Sequence, residues 1–160
     1  MKVYYTFTAA DARPTMHVFF RPELLLSACL KTIAMPADSH TLIFVYGTLK
    51  RGFCRASFLA DQQFLNDALT VPHYALFDCG DYPALVKDHI EGSRIHGELW
   101  RVDPQGLALL DQVEGVSEQL YARESIELES PVVSATVQAY FYLRDVSRLP
   151  RLGDRWTRQT

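Results

Sequence analysis

Thr41-Leu42-Ile43-Phe44-Val45-Tyr46 is an uncharged run of β-branched, aromatic and aliphatic residues. This pattern predicts a strand covered on both faces, hence one in the middle of its sheet. The run stops at Gly47, and Gly52 follows five residues later. A sharp turn is expected over Gly47-Thr48-Leu49-Lys50-Arg51-Gly52, presenting its amide hydrogens. Residues 56–65 carry apolar side chains at helical spacing and predict one short helix. Tyr74-Ala75-Leu76-Phe77 and Ala84-Leu85-Val86 predict two short strands, separated by the turn Asp78-Cys79-Gly80-Asp81-Tyr82-Pro83. Residues 94–102 alternate in character and predict another strand. Asp103 is then a good N-cap, Pro104 suits the first helical position, and Leu107, Leu110 and Val113 recur at spacing three. That helix should end at or just after Glu114, because Gly115 suits a left-handed C-terminal turn. Residues 125–128 and 135–143 predict strands on either side of a turn at Pro131, and the arginine-rich tail from Arg144 shows no period.

Many short strands with two or three helices, and no regular strand-helix alternation, predict an α+β fold with a curled, antiparallel or mixed sheet. A chain of 160 residues suits one well-buried core. Residues 1–40 stand apart as an N-terminal extension, residues 41–145 as the domain, and residues 146–160 as an irregular tail. Within the extension, a short amphipathic helix is expected after Pro22. The apolar Leu24-Leu25-Leu26-Ser27-Ala28-Cys29-Leu30 is too short to span a bilayer and lies too far along the chain for an ordinary secretory signal. The polar, turn-prone segment from Met35 to His40 marks a boundary, and Met35 is a candidate translation start.

Hydrophobic residues make up 48% of the chain and charged residues 22%, as in an ordinary globular protein. A formal net charge of -3 gives no footprint for nucleic acid or an anionic membrane. Cys29, Cys54 and Cys79 are an odd number at wide spacing, so they are expected as buried thiols in a reducing cytoplasm rather than as a disulfide framework. His17, His40, His73, His89 and His96 form no pair with metal-ligand spacing, so no metal is called for.

Gly47 to Gly52 has the glycine spacing of a phosphate loop, but Phe53-Cys54 stands where Lys-Ser/Thr is required. Spacing alone leaves the stretch as a buried strand ending in a glycine turn. The candidate catalytic acid is Glu114: it falls at a helix C-terminus, where unpaired carbonyls oppose a carboxylate charge, and it follows the apolar Val113. A solvated glutamate at a helix end is the plainer alternative, and Glu98, within a strand, is a rival acid. Cys54 or Ser57, with a histidine as base, would make a nucleophile site, but neither sits in a nucleophile-elbow sequence.

Taken together, the 44–52 stretch, Gly80-Asp81-Tyr82-Pro83-Ala84-Leu85, Gly97-Glu98-Leu99-Trp100, and Leu110-Asp111-Gln112-Val113-Glu114-Gly115 with Tyr121-Ala122-Arg123 resemble the γ-glutamylcyclotransferase-like family in order and spacing. The likeness is to its γ-glutamylamine cyclotransferase and AIG2-like branch and covers residues 41–145. The resemblance implies a small mixed β-barrel flanked by helices. It also implies a pocket lined by Tyr46, Gly47, Thr48 and Leu49 with Tyr82 and Tyr121 nearby, and Glu114 as general acid/base. The implied reaction turns a γ-glutamyl amide or amino acid into 5-oxoproline and a free amine, without cofactor and with only a small molecule as partner. A non-catalytic domain of the same fold, binding a metabolite or a protein, is the alternative; the oligomeric state is left open.

Overall fold

The computed structural model describes residues 39–158. The expected helix after Pro22 and the Met35 boundary lie outside them. Eight strands, one α-helix and one short 3-10 helix make up the domain. The strands are β1 (Thr41–Val45), β2 (Gln63–Thr70), β3 (Tyr74–Asp78), β4 (Pro83–Lys87), β5 (His96–Val102), β6 (Tyr121–Ile126), β7 (Leu128–Ser130) and β8 (Val137–Tyr142), and the α-helix is α1 (Pro104–Val113). Six of them form one curled, mixed sheet in the order β6-β8-β1-β5-β2-β7, while β3 and β4 form a separate hairpin. The class expected from the sequence, α+β with a small mixed barrel, is therefore met by a half-barrel with a single α-helix against it.

β1 holds the centre, parallel to β8 and antiparallel to β5. Its residues divide by the period of two. Phe44 packs into the core that also contains Leu76, Leu85, Leu99 and Phe141, while Ile43 and Val45 pack on the other face with Trp100, Leu110 and Tyr140. Because both faces are covered, the chain leaving β1 enters its turn from a fixed position.

The helix expected over residues 56–65 is not formed. Ala56–Leu59 is a 3-10 turn, and β2 begins at Gln63. The Phe64 ring packs edge-on against Trp100, and β2 pairs along β5 from Gln63 to Leu69. Tertiary pairing thus overrides a weak helical spacing. The tail that shows no period is held in place: Leu152 donates its amide to the Leu76 carbonyl, His96 donates to the Asp154 carbonyl, and Trp156 is buried.

α1 forms where its local signals stand. The Asp103 carboxylate accepts from the Gly106 amide at 2.7 Å and Pro104 opens the helix. Gly115, at φ 63°, closes it in the left-handed conformation that a side chain disfavours. Only Gly106 and Leu110 of the helix are fully buried, so its orientation depends on polar ties as well. Asp111 accepts from Arg123 Nε at 2.9 Å, Arg123 Nη2 at 3.1 Å and the Tyr140 hydroxyl at 2.7 Å. Two neighbouring strands, β6 and β8, thereby grip the last turn of α1.

Glu98, on β5, fixes the far side of the glycine turn. It is 7% exposed, and its carboxylate accepts from the Arg51 amide at 3.1 Å, Arg51 Nε at 3.1 Å and Trp100 Nε1 at 3.0 Å. The Arg51 side chain is half-exposed, so the ion pair itself contributes little. The bond from the buried indole matters more. Glu98→Ala is expected to lower folding stability by about 1–3 kcal/mol, measured by chemical denaturation, because Trp100 loses its acceptor. Glu98→Gln, which keeps an acceptor, should lose less.

Candidate functional site

The chain leaves β1 at Tyr46 and turns at once. The Lys50 amide donates to the Gly47 carbonyl at 3.2 Å and the Arg55 amide to the Thr48 carbonyl at 3.0 Å, which closes the turn on itself. Among the described residues the amides of Thr48 and Leu49 have no protein acceptor, although both residues are buried. Gly47 is required for close packing here. A Cβ at that position would lie 2.7 Å from Pro83 Cγ, so any side chain would push the turn and the β3–β4 hairpin apart.

This turn forms one wall of a cleft of about 550 Å3, its open mouth included. Tyr46, Gly47, Thr48, Leu49, Tyr82, Glu114 and Tyr121 all line it, so the whole set implied by the resemblance falls in one place. Pro83, Tyr140 and Arg55 also line it and are not singled out by the sequence. Tyr140 sits within a strand pattern that signals only burial. Arg55 carries no sequence signal at all, since the turn geometry alone brings it to the cleft.

The tyrosines build the walls through their hydroxyls. Tyr46 donates to the Tyr140 carbonyl at 2.7 Å and Tyr121 to the Pro83 carbonyl at 2.9 Å. Burial, and then nearby acidic groups, hold both phenols well above their usual pKa, so they are neutral donors throughout the range in which a carboxylate titrates. Tyr82 is half-buried and stands edge-on to the Tyr121 ring, with 6.4 Å between centroids. The Tyr121–Pro83 bond and the Gly47–Pro83 contact join hairpin, turn and β6 into one rigid surround.

Glu114 is the C-cap of α1, and its amide donates to the Leu110 carbonyl at 2.9 Å. The residue is 9% exposed, and burial pushes its carboxyl up to about 7, partly offset by the Arg55 charge. The helix end contributes to the siting of this group, but desolvation is the cause of the shift. A group poised at this value can take up and return a proton near neutral pH.

The rival sites are elsewhere. Glu98 does not line the cleft, and its carboxylate is occupied by Arg51 and Trp100. Cys54 and Ser57 are exposed and do not line it either. The expectation of buried thiols is corrected at Cys54, which sits on an exposed turn, and Cys79 is half-buried; Cys29 lies outside the described residues. Among the described residues no cluster of histidine, cysteine and acidic side chains could hold a metal ion, and no helix is long and apolar enough to cross a membrane.

Comparison with known proteins bears on the same region. A Vibrio cholerae protein whose name places it provisionally among the gamma-glutamylcyclotransferases is 41% identical over 113 residues, covering 71% of this chain and 90% of the relative. Gamma-glutamylaminecyclotransferase B of Danio rerio is 37% identical over 95 residues, 55% of this chain and 49% of the relative. The crystal structure of an AIG2-like protein from Mus musculus superposes with a TM-score of 0.62 at 26% identity, covering 74% of this chain and 88% of that one. The family model described as gamma-glutamyl cyclotransferase, AIG2-like, matches residues 43–158, which contain the turn, the helix and the cleft, and the chain belongs to that family.

Proposed function

We propose that the chain converts γ-glutamyl amides or γ-glutamyl amino acids into 5-oxoproline and the free amine, with Glu114 as general acid/base and no cofactor. One observation carries this reading: a buried carboxyl lifted to about 7 lines the same cleft as Thr48 and Leu49, whose amides donate to no described residue.

A γ-glutamyl compound carries its own nucleophile, the α-amino group. At neutral pH that group is an ammonium and cannot attack. Ionised Glu114 takes a proton from it, and the freed nitrogen attacks the γ-carbonyl carbon, closing a five-membered ring. The turn amides supply donors for the α-carboxylate or for the oxyanion that develops at the carbonyl, fixing the ring-closing geometry. Collapse breaks the original amide bond, and protonated Glu114 delivers its proton to the departing nitrogen. The protons lost by the α-nitrogen end on the released amine, so neither water nor an external base is consumed. The name of the Danio rerio relative supports γ-glutamylamines as one substrate type, and that of the Vibrio cholerae relative supports the broader class.

Purified protein incubated with a panel of γ-glutamyl compounds should release 5-oxoproline, and Glu114→Gln should lower kcat by roughly 10²- to 10⁴-fold with the fold intact. Full activity in that variant would overturn the mechanism. Saturable binding of the panel without turnover would favour the non-catalytic alternative. The rate in the wild type should rise with pH through about 7, as Glu114 ionises.

Stability should run the other way. Because the folded-state value lies above the ordinary 4.5, the neutral carboxyl is favoured by folding below 4.5, and that advantage is lost as pH rises through about 7. Denaturant titrations should show Glu114→Gln more stable than wild type at pH 8, by on the order of 3 kcal/mol, with the gain fading towards pH 5. Gly47→Ala, which forces the turn away from Pro83, should reduce kcat/KM by about 10- to 100-fold.

A further inference from the structure

The cleft is graded in depth and in charge. Tyr46, Tyr121, Tyr140 and Glu114 are buried at its floor, whereas Arg55, Tyr82, Val113 and Leu120 are half-buried and form its rim. Arg55 and Glu114 are the charged residues among those lining it. The rim therefore presents a cation beside aromatic and aliphatic surface, with no acid.

Arg55 lines this cleft, and it differs from the arginines that are tied up in ion pairs around the fold. Arg51, Arg94, Arg123, Arg151, Arg155 and Arg158 each lie within ion-pair distance of a carboxylate. No ion pair to a described carboxylate is formed by Arg55, although its charge acts on the Glu114 carboxyl across the cleft. Its backbone is nonetheless held. The amide donates to the Thr48 carbonyl at 3.0 Å, and its own carbonyl accepts from the Phe58 amide at 3.2 Å. A guanidinium on a fixed backbone, half-buried at the mouth of a cleft and in ion-pair contact with no described carboxylate, is suited to take one from a ligand.

The chemistry of the site says which carboxylate. Resting on the cyclotransferase reading, the glutamyl group occupies the floor, where its α-amino group reaches Glu114 and the turn amides supply donors. The leaving group must then run out over the rim. The departing nitrogen has to come within hydrogen-bond reach of Glu114, and in an α-amino acid the carboxylate lies only two bonds beyond that nitrogen. Arg55 and Glu114 line the same cleft, so a leaving group that passes from Glu114 to the rim runs towards the guanidinium. A cationic leaving group, such as a diamine or polyamine, would bring its charge up to the guanidinium instead.

We infer that Arg55 is a specificity-determining residue that receives the carboxylate of an amino-acid leaving group, so that γ-glutamyl-α-amino acids are preferred over γ-glutamyl derivatives of diamines and polyamines. The sharp test is a matched pair, γ-glutamyl-alanine and γ-glutamyl-alaninamide, which differ only in that carboxylate. Wild type should prefer the acid in kcat/KM by roughly 10- to 100-fold, the range of a charge-assisted hydrogen bond. Arg55→Gln should bring the ratio to about one, and Arg55→Lys should retain part of it. Using the ratio cancels any change that losing the Arg55 charge makes to Glu114, since both substrates meet the same acid. γ-Glutamyl-spermidine should be the poorest wild-type substrate and should improve in Arg55→Gln.

Equal loss on acid and amide in Arg55→Gln would overturn the inference, because it would mean that Arg55 holds the glutamyl end common to both. Calorimetric binding of the same pair separates this inference from the proposed reaction. If wild type turns over neither compound but binds the acid more tightly in an Arg55-dependent way, the reaction fails and the carboxylate site stands. If it binds both equally, the carboxylate site fails.

Discussion

The grip of Asp111 on Arg123 and Tyr140 is the tie on which the site depends. α1 buries little apolar surface of its own, with Gly106 and Leu110 its fully buried residues, so packing alone leaves its last turn loosely determined. The paired bonds from Arg123, at 2.9 and 3.1 Å, and the Tyr140 hydroxyl at 2.7 Å add direction to that packing. Glu114 follows three residues later, in the C-cap, and its place at the cleft is inherited from this tie. Tyr140 has a second use: its carbonyl accepts the Tyr46 hydroxyl, so the strand that holds the helix also holds the start of the turn.

The two buried acids differ for a physical reason. Glu98 is surrounded by donors, the Arg51 amide, the Arg51 guanidinium and the Trp100 indole, so its charge is compensated and it serves the architecture. Glu114 is buried to a similar degree, yet no described donor reaches its carboxyl, and desolvation dominates. Burial is common to both. What separates a structural carboxylate from one poised to exchange protons is the supply of hydrogen bonds to the charged form.

Elements with local causes were legible in the chain. The Asp103 cap, Pro104 and Gly115 bracket α1 because a helix end needs a nearby acceptor at one side and a left-handed residue at the other. β1 was legible because a strand covered on both faces must be apolar at every position. β2 was not: Gln63 and Phe64 fall at the end of the helix expected over residues 56–65, and only pairing with β5 makes them a strand. The tail was equally opaque, since Trp156 is buried by elements distant in sequence.

The sequence by itself determined the pieces of the site, the glycine turn after an apolar strand and a glutamate at a helix end, because backbone sterics and helix capping act over a few residues. It also carried the family likeness through four separated motifs. The tertiary structure decided that turn and glutamate face one cleft, that Glu98 is an anchor, and that Arg55 stands at the rim. Each of these depends on which side chains surround a charge, and burial and hydrogen-bond supply are set by contacts between distant segments rather than by neighbours along the chain.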